Sequence, residues 1–151
     1  MKQESLHSLH KNHIKGTDLK AIVVYKKILL CNLTKAVQKG CGLSSGAVYI
    51  TTKVLKHIYD KKPGELYDFI IDNLPTIVKY PDHIFKNKKE KTGDLCFVKT
   101  LKNKKYLCSI EGCTNEEKKG EISIVTVFRV DDAYLEKYEL LWSWRDDAPS
   151  S

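Results

Sequence analysis

The spacing of apolar residues changes near Pro81, and this change constrains the fold more than any other feature of the chain. Before Pro81, apolar residues recur at helical spacing in residues 19–37, 53–59 and 65–73. After Pro81 they alternate, as in strands, in residues 94–101, 106–111 and 121–130. The pattern predicts an α+β fold in which N-terminal helices pack on a C-terminal antiparallel β-meander.

Cap and turn residues predict the smaller elements. The helix at 53–59 is expected to follow a short extended segment, residues 47–50, and to be capped by its two preceding threonines. A last helix, residues 133–140, is expected after two aspartates, followed by an aromatic tail that docks on the body. Turns or polar loops are predicted at residues 85–93, 101–104 and 112–120.

The length of 151 residues fits one domain with a small N-terminal addition. Residues 1–46, a flexible or weakly helical lead followed by a helix, are a candidate appendage, and residues 47–151 form the predicted α+β domain. No run approaches 18 apolar residues, and residues 1–18 lack an apolar signal region. We therefore expect a cytoplasmic protein without membrane contact.

The five cysteines form no C-x-x-C pair, and their odd number favours reduced thiols. Their spacing is poor for zinc ligands, and the chain has no phosphate loop, no G-x-G-x-x-G and no H-E-x-x-H motif, so neither a metal ion nor another cofactor is expected. Cys41 lies in a Gly/Ser-rich segment without a histidine nearby in the sequence, which makes it a weak candidate nucleophile.

Positive charge is concentrated in two stretches. The chain has 26 Lys and Arg residues against 19 Asp and Glu residues, a formal net charge of +7. Residues 1–62 carry twelve lysines and three acidic residues, and residues 79–106 carry nine lysines and three acidic residues. Such a surface attracts polyanions, of which nucleic acid is the usual one. The alternative is a lysine-rich surface that only faces solvent.

Three short motifs between residues 47 and 140 carry a family resemblance. The first is Val54-Leu55-Lys56-His57-Ile58, with a proline six residues after the histidine. The second is Leu74-Pro75-Thr76-Ile77-Val78-Lys79-Tyr80-Pro81-Asp82, and the third is the predicted meander. Together they resemble phage-associated nucleases of the barnase, EndoU, colicin-tRNase and RelE-like group. Many such nucleases have a second histidine just before the proline, where this chain has Lys61-Lys62.

The resemblance implies a toxin-like, metal-independent ribonuclease. In this reaction a base takes the proton of the ribose 2′-OH, which attacks the adjacent phosphate and leaves a 2′,3′-cyclic phosphate. His57 would act as base or acid, Lys99 and Arg129 would stabilise the phosphorane, and Thr126 would hydrogen-bond the phosphate. Further substrate contacts are assigned to Tyr106, Lys56, Lys88, Lys89 and His83.

Each candidate residue also has an ordinary structural interpretation. His57 and Tyr106 are of types that often serve packing, and the lysines are of a type that often faces solvent. Thr126 and Arg129 point to opposite faces of a regular strand, so both cannot line one site unless the strand contains a bulge.

Three functions remain open on the sequence. The first is an enzyme that cleaves RNA, with tRNA as one candidate substrate. Such an enzyme could have an acidic antitoxin or immunity protein as its partner. The second is a non-catalytic nucleic-acid-binding module, whose binding would be salt-sensitive. The third is a protein-interaction module of phage or mobile-element origin.

Overall fold

A computed structural model describes residues 5–43, 46–61, 64–87, 94–112 and 121–143. Its helices are α1 Leu6–His13, α2 Lys35–Gly40, α3 Thr52–Lys61, α4 Gly64–Lys79 and α5 Asp132–Leu135. Its strands are β1 Lys27–Asn32, β2 Ala47–Thr51, β3 His83–Lys86, β4 Leu95–Leu101, β5 Lys104–Gly112, β6 Glu121–Val130 and β7 Glu139–Ser143. Within these residues, no helix combines the length and the apolar character needed to cross a membrane.

The strands form one sheet in the order β1-β2-β6-β5-β4-β3-β7. Strands β2 and β6 are parallel, and the other neighbours are antiparallel. The predicted α+β class and the β4-β5-β6 meander are therefore confirmed. The predicted order of elements is wrong, because β1 and β2 alternate with helices in the N-terminal half.

The sheet buries side chains on both faces. On the face that we call the helix face, α1, α3 and α4 cover the main core, which includes Phe97, Cys108 and Val127. On the opposite face, which we call the site face, a smaller core contains Cys96, Val98, Leu107 and Leu135. Alternation along β4 and β5 distributes neighbouring residues between the two cores. The described residues therefore cover the site face only in part and leave a cavity there.

The helix predicted at residues 19–37 is absent. Residues 21–26 have no regular structure, β1 follows, and α2 begins after Thr34, whose hydroxyl accepts a hydrogen bond of 3.2 Å from the Val37 backbone N–H. β1 pairs with β2 along its length, from Lys27 opposite Thr51 to Asn32 opposite Ala47. This long-range pairing outweighs the local helical spacing, since helix propensity is only a weak preference.

The first helix lies where a flexible or weakly helical lead was expected. Ser5 caps α1 by accepting a hydrogen bond of 3.1 Å from the Ser8 backbone N–H. Leu6, Leu9 and Ile14 are buried in the main core, where α1 packs beside α3. The described part of residues 1–46 thus contributes two helices, an edge strand and core side chains to the same body.

The ends of two other helices differ from the prediction. α4 continues past residue 73 to Lys79 with Pro75 inside it, and ends just before Pro81. The last helix stops at Leu135, and residues expected to extend it form β7, which pairs with β3. Trp142 of the predicted aromatic tail packs against the main core from β7, while residues 144–151 lie outside the described residues.

The predicted hairpin turn is confirmed in detail. Lys102 and Asn103 connect β4 to β5 with φ angles of 49° and 66°. Positive φ at both central residues is the geometry of a type I′ turn, which matches the twist of the flanking strands.

Docking of β7 depends on close contact between Trp142 and Gly40. A Cβ atom added to Gly40 would overlap the Trp142 ring, whereas one added to Gly64 would meet no atom within 4 Å. We expect Gly40→Ala to lower the free energy of unfolding by about 1–3 kcal/mol, the usual cost of overpacking. Gly64→Ala is the control and should leave stability unchanged or slightly raised. Urea unfolding of both variants measures the difference, and equal stability would mean that β7 does not need this contact.

Candidate functional site

A cavity of about 330 Å³ opens on the site face of the sheet. It lies between α3, the strands β4 to β6 and the short helix α5. Its lining includes a histidine, a lysine, hydroxyl groups and aromatic rings, contributed by His57, Ile58, Lys61, Asn87, Cys96, Leu107, Ser109, Val125, Thr126, Val127, Phe128, Tyr134 and Tyr138. The cavity brings together two of the predicted site residues, His57 and Thr126.

Helix α3 carries His57 and Lys61 to the rim of the cavity. The two residues are four positions apart, so they share one side of the helix, and both are exposed. Leu55 and Ile58 of α3 are buried in the main core, and Ile58 also borders the cavity. This amphipathic division fixes the helix against β6 while its polar side borders the cavity.

The start of α3 is held by Thr52, which is fully buried. Its hydroxyl donates a hydrogen bond of 2.7 Å to the carbonyl of Val24 and accepts one of 2.9 Å from the backbone N–H of Lys26. Thr51 caps the helix by accepting a hydrogen bond of 3.2 Å from the Val54 N–H. The chain before β1 thus ties down the helix that presents His57.

A β-bulge in β6 places Thr126 at the cavity. Thr126 lies opposite Ser109 of β5, but the next partners are Ile124 and Ile110, so Val125 is an extra residue. The alternation of β6 therefore shifts at Val125, and both Val125 and Thr126 line the cavity. A regular strand would instead have put Thr126 on the same face as Ile124, in the main core.

An aromatic cluster forms one wall of the cavity. Tyr134 and Tyr138 stack with their ring centroids 5.5 Å apart, and Phe128 meets Tyr134 edge-on at 5.8 Å. The Tyr138 hydroxyl donates a hydrogen bond of 3.2 Å to that of Tyr134. Burial, assisted by this hydrogen bond, raises the pKa of Tyr138 well above its ordinary value. Asp131 orients the cluster by capping α5, since its carboxylate accepts a 2.8 Å hydrogen bond from the Tyr134 N–H.

Three other predicted site residues lie together on the helix face. Lys99, Tyr106 and Arg129 are direct neighbours across β4, β5 and β6. Tyr106 is buried, with its ring 5.2 Å from that of Phe69 in α4. Lys99 pairs with Asp82, at 3.3 Å between Nζ and Oδ1. None of these three residues lines the cavity.

The remaining predicted contacts also lie away from the cavity. Lys56 is buried, and its Nζ donates hydrogen bonds of 2.7 Å to Asp60 and 2.5 Å to the carbonyl of Asp18. His83 is on β3, with its Nδ1 2.7 Å from the Ser143 hydroxyl. Lys88 and Lys89 lie outside the described residues.

Sequence reasoning missed several residues of the cavity. Lys61 was noted only as a departure from the family motif, although its spacing from His57 signals a shared helical side. Tyr134 and Tyr138 also have helical spacing, which could have identified them as neighbours. Ser109 gave no usable signal, because a serine within an apolar strand does not reveal which face it occupies.

Burial disfavours ionisation of the described cysteines. Burial raises the pKa of Cys31 and Cys41 to about 11 and that of Cys96 to about 12. These thiols are therefore protonated near neutral pH, and the thiol is a far weaker nucleophile than the thiolate. Nothing in this arrangement supports Cys41 as a nucleophile.

The Lys56–Asp60 pair gives a testable structural prediction. Burial alone would raise the pKa of Asp60, but hydrogen bonds from Lys56 and the Lys20 backbone N–H, with the charge of Lys56, hold it below the ordinary value of 3.8. We expect Asp60→Asn to cost about 3 kcal/mol of stability at neutral pH, because it leaves the buried ammonium without its counter-charge.

The pH dependence checks this cause. A depressed carboxyl pKa stabilises the fold above the unfolded-state pKa, and this contribution is lost as the pH falls through the folded-state pKa. The difference between the wild-type protein and Asp60→Asn should therefore shrink below about pH 4. Asp72→Asn, at the exposed His7–Asp72 pair, is the control and should change stability little. A difference that stays constant down to pH 2 would contradict the assigned role of Asp60.

Comparison with known proteins adds one match. Residues 32–137 match the model of a family described as phage-Barnase-EndoU-ColicinE5/D-RelE like nuclease 3. No curated protein and no solved structure gives a significant match. The matched segment runs from the end of β1 through α5 and includes His57, Lys61, Ser109 and Thr126.

Proposed function

The chain belongs to the phage-Barnase-EndoU-ColicinE5/D-RelE like nuclease 3 family, and from this premise we propose that it is a metal-independent endoribonuclease. Membership confirms the resemblance carried by the sequence motifs and implies a nucleic-acid substrate. The observation that most supports the proposal is the meeting of His57, Lys61 and Thr126 at one cavity. These residues supply an imidazole, an ammonium and a hydroxyl, which are the groups that 2′-OH attack on a phosphate requires.

His57 is the proposed general base. Imidazole changes protonation between about pH 5 and 8, so the neutral form can take the proton of the ribose 2′-OH near neutrality. The 2′-oxygen then attacks phosphorus, the bond from phosphorus to the 5′-oxygen breaks, and the leaving 5′-oxygen takes a proton from solvent. The products are a 2′,3′-cyclic phosphate and a free 5′-hydroxyl, and the proton held by His57 returns to solvent. Exposure of His57 at the rim suits this role, because the ribose and phosphate of a bound strand stay close to solvent.

Lys61 and Thr126 are proposed to hold the reacting phosphate. Lys61, one turn after His57, carries a positive charge to the same rim and would stabilise the negative charge of the phosphorane. Thr126, placed beside the bulge, offers a hydroxyl from the strand side. Many relatives are expected to have a second histidine near this position. In this chain, the positive charge of Lys61 would take the place of that histidine.

The proposal predicts cleavage of RNA in the presence of EDTA. The purified protein should cut total cellular RNA into products that end in 2′,3′-cyclic phosphate, and it should leave DNA intact because DNA lacks the 2′-OH. We expect His57→Ala to slow cleavage by about 10²–10⁴-fold, the usual contribution of a general base. His83→Ala is the control, since this half-buried imidazole does not line the cavity.

A set of cation variants tests the placement of the site. Lys61→Ala should slow cleavage by about 10²–10³-fold, as loss of a charge-stabilising group does. Lys99→Ala and Arg129→Ala should cleave close to the wild-type rate, because both residues lie on the helix face. If Lys99→Ala and Arg129→Ala lose most of the cleavage activity while Lys61→Ala keeps it, the reaction takes place at Lys99 and Arg129 and not at the cavity.

Intact RNA together with salt-sensitive binding would contradict the enzymatic proposal. That result would favour a nucleic-acid-binding module, since phosphate contacts by lysines weaken steeply with salt. Tightly bound RNA that carries no new ends after long incubation is the decisive observation in this case.

A further inference from the structure

We infer that the floor of the cavity is a subsite for one unpaired nucleobase, with Ser109 contacting its polar edge and Tyr134 and Tyr138 contacting its ring. This inference rests on the proposed function and names its substrate class, a single-stranded segment of RNA. It begins from an unsatisfied group. Among the described residues, the Ser109 hydroxyl is the buried side-chain oxygen that has no hydrogen-bond partner.

A buried hydroxyl without a partner is costly in a folded protein, so it calls for an explanation. Ser109 is only 2% exposed, and its side chain lines the cavity from β5, between Cys96 on β4 and Thr126 on β6. It can donate one hydrogen bond and accept others. A ligand that reaches the floor with a polar edge would satisfy this hydroxyl.

The wall beside Ser109 specifies the shape of that ligand. Phe128, Tyr134 and Tyr138 are held in fixed relative orientations by ring packing and by the hydrogen bond between the two tyrosine hydroxyls. Tyr134 is still 38% exposed, so part of its surface is available to a ligand. A flat aromatic ring with polar atoms at its edge fits both features, and a nucleobase is such a ring.

Charge separates the place of the base from that of the phosphate. Leu107 and Cys96 make the floor apolar, and a phosphate buried there would lack a counter-charge. Among the described lining residues, the positive charge belongs to Lys61 and to His57 when protonated, and both are exposed at the rim. The phosphate therefore stays at the rim while its neutral base enters. A base that is paired in a duplex cannot enter, so the cavity selects unpaired RNA.

Binding of an uncleavable strand tests the subsite without relying on catalysis. A fluorescein-labelled 2′-O-methyl oligoribonucleotide is titrated with protein, and each base is replaced in turn by an abasic residue. For the wild-type protein, loss of one base should weaken binding by about 5-fold to 150-fold, the range for a base stacked on an aromatic side chain. When a complementary strand pairs with the oligoribonucleotide at this position, the affinity difference between the intact strand and the abasic strand should disappear.

Two variants locate the base. With Tyr134→Leu, the abasic replacement should no longer weaken binding appreciably, because the stacked ring is gone. Ser109→Ala should weaken binding of the intact strand by about 2-fold to 10-fold, as loss of one neutral hydrogen bond does. Its thermal midpoint should not fall, because the hydroxyl has no partner in the free protein. Tyr80→Leu, an exposed tyrosine outside the cavity, is the control and should behave as wild type.

The outcomes distinguish this inference from the proposed function. If no abasic position weakens wild-type binding, or if the effect persists in Tyr134→Leu and binding is unchanged in Ser109→Ala, the cavity does not hold a base. If the wild-type protein cleaves RNA but gives this binding result, the proposed function is retained and the base subsite is rejected. If binding depends on one base in the wild-type protein and loses this dependence in both cavity variants, the subsite is supported. If the wild-type protein also fails to cleave RNA, the proposed ribonuclease activity is contradicted.

Discussion

The parallel pairing of β2 with β6 determines where the candidate site lies. Residues 47–49 of β2 run beside residues 121–123 of β6. Helix α3 starts directly after β2 and packs against β6, the neighbour of β2 in the sheet. His57 on α3 and Thr126 on β6 meet at the cavity in this arrangement, although they are 69 positions apart in the sequence.

The same sheet keeps two kinds of surface apart. Its helix face is covered by α1, α3 and α4, and there Tyr106 packs against Phe69 and Lys99 pairs with Asp82. Its site face carries a small core and an open cavity. The bulge at Val125 puts Thr126 on the site face instead of the helix face. A single extra residue in β6 thus changes which side chains lie on each face of the sheet.

Sequence patterns predicted the elements that depend on neighbouring residues. The meander follows from strict alternation, and the turn at Lys102-Asn103 from local turn chemistry. The edge strand β1 was mistaken for helix because its apolar residues also fit helical spacing, and only its partner β2 resolves the ambiguity.

The candidate site was predictable in part for the same physical reason. His57 could be selected by its chemistry and by a motif, and the structure places it at the cavity with Thr126. Lys99 and Arg129 were selected as cations that could stabilise the phosphorane, and charge does not reveal the face of a sheet on which a residue lies. Ser109 stands in an apolar strand, and its significance comes entirely from missing a partner inside the fold. Apolar surroundings make that hydroxyl selective, because a ligand that fails to satisfy it still loses its own hydration on entering.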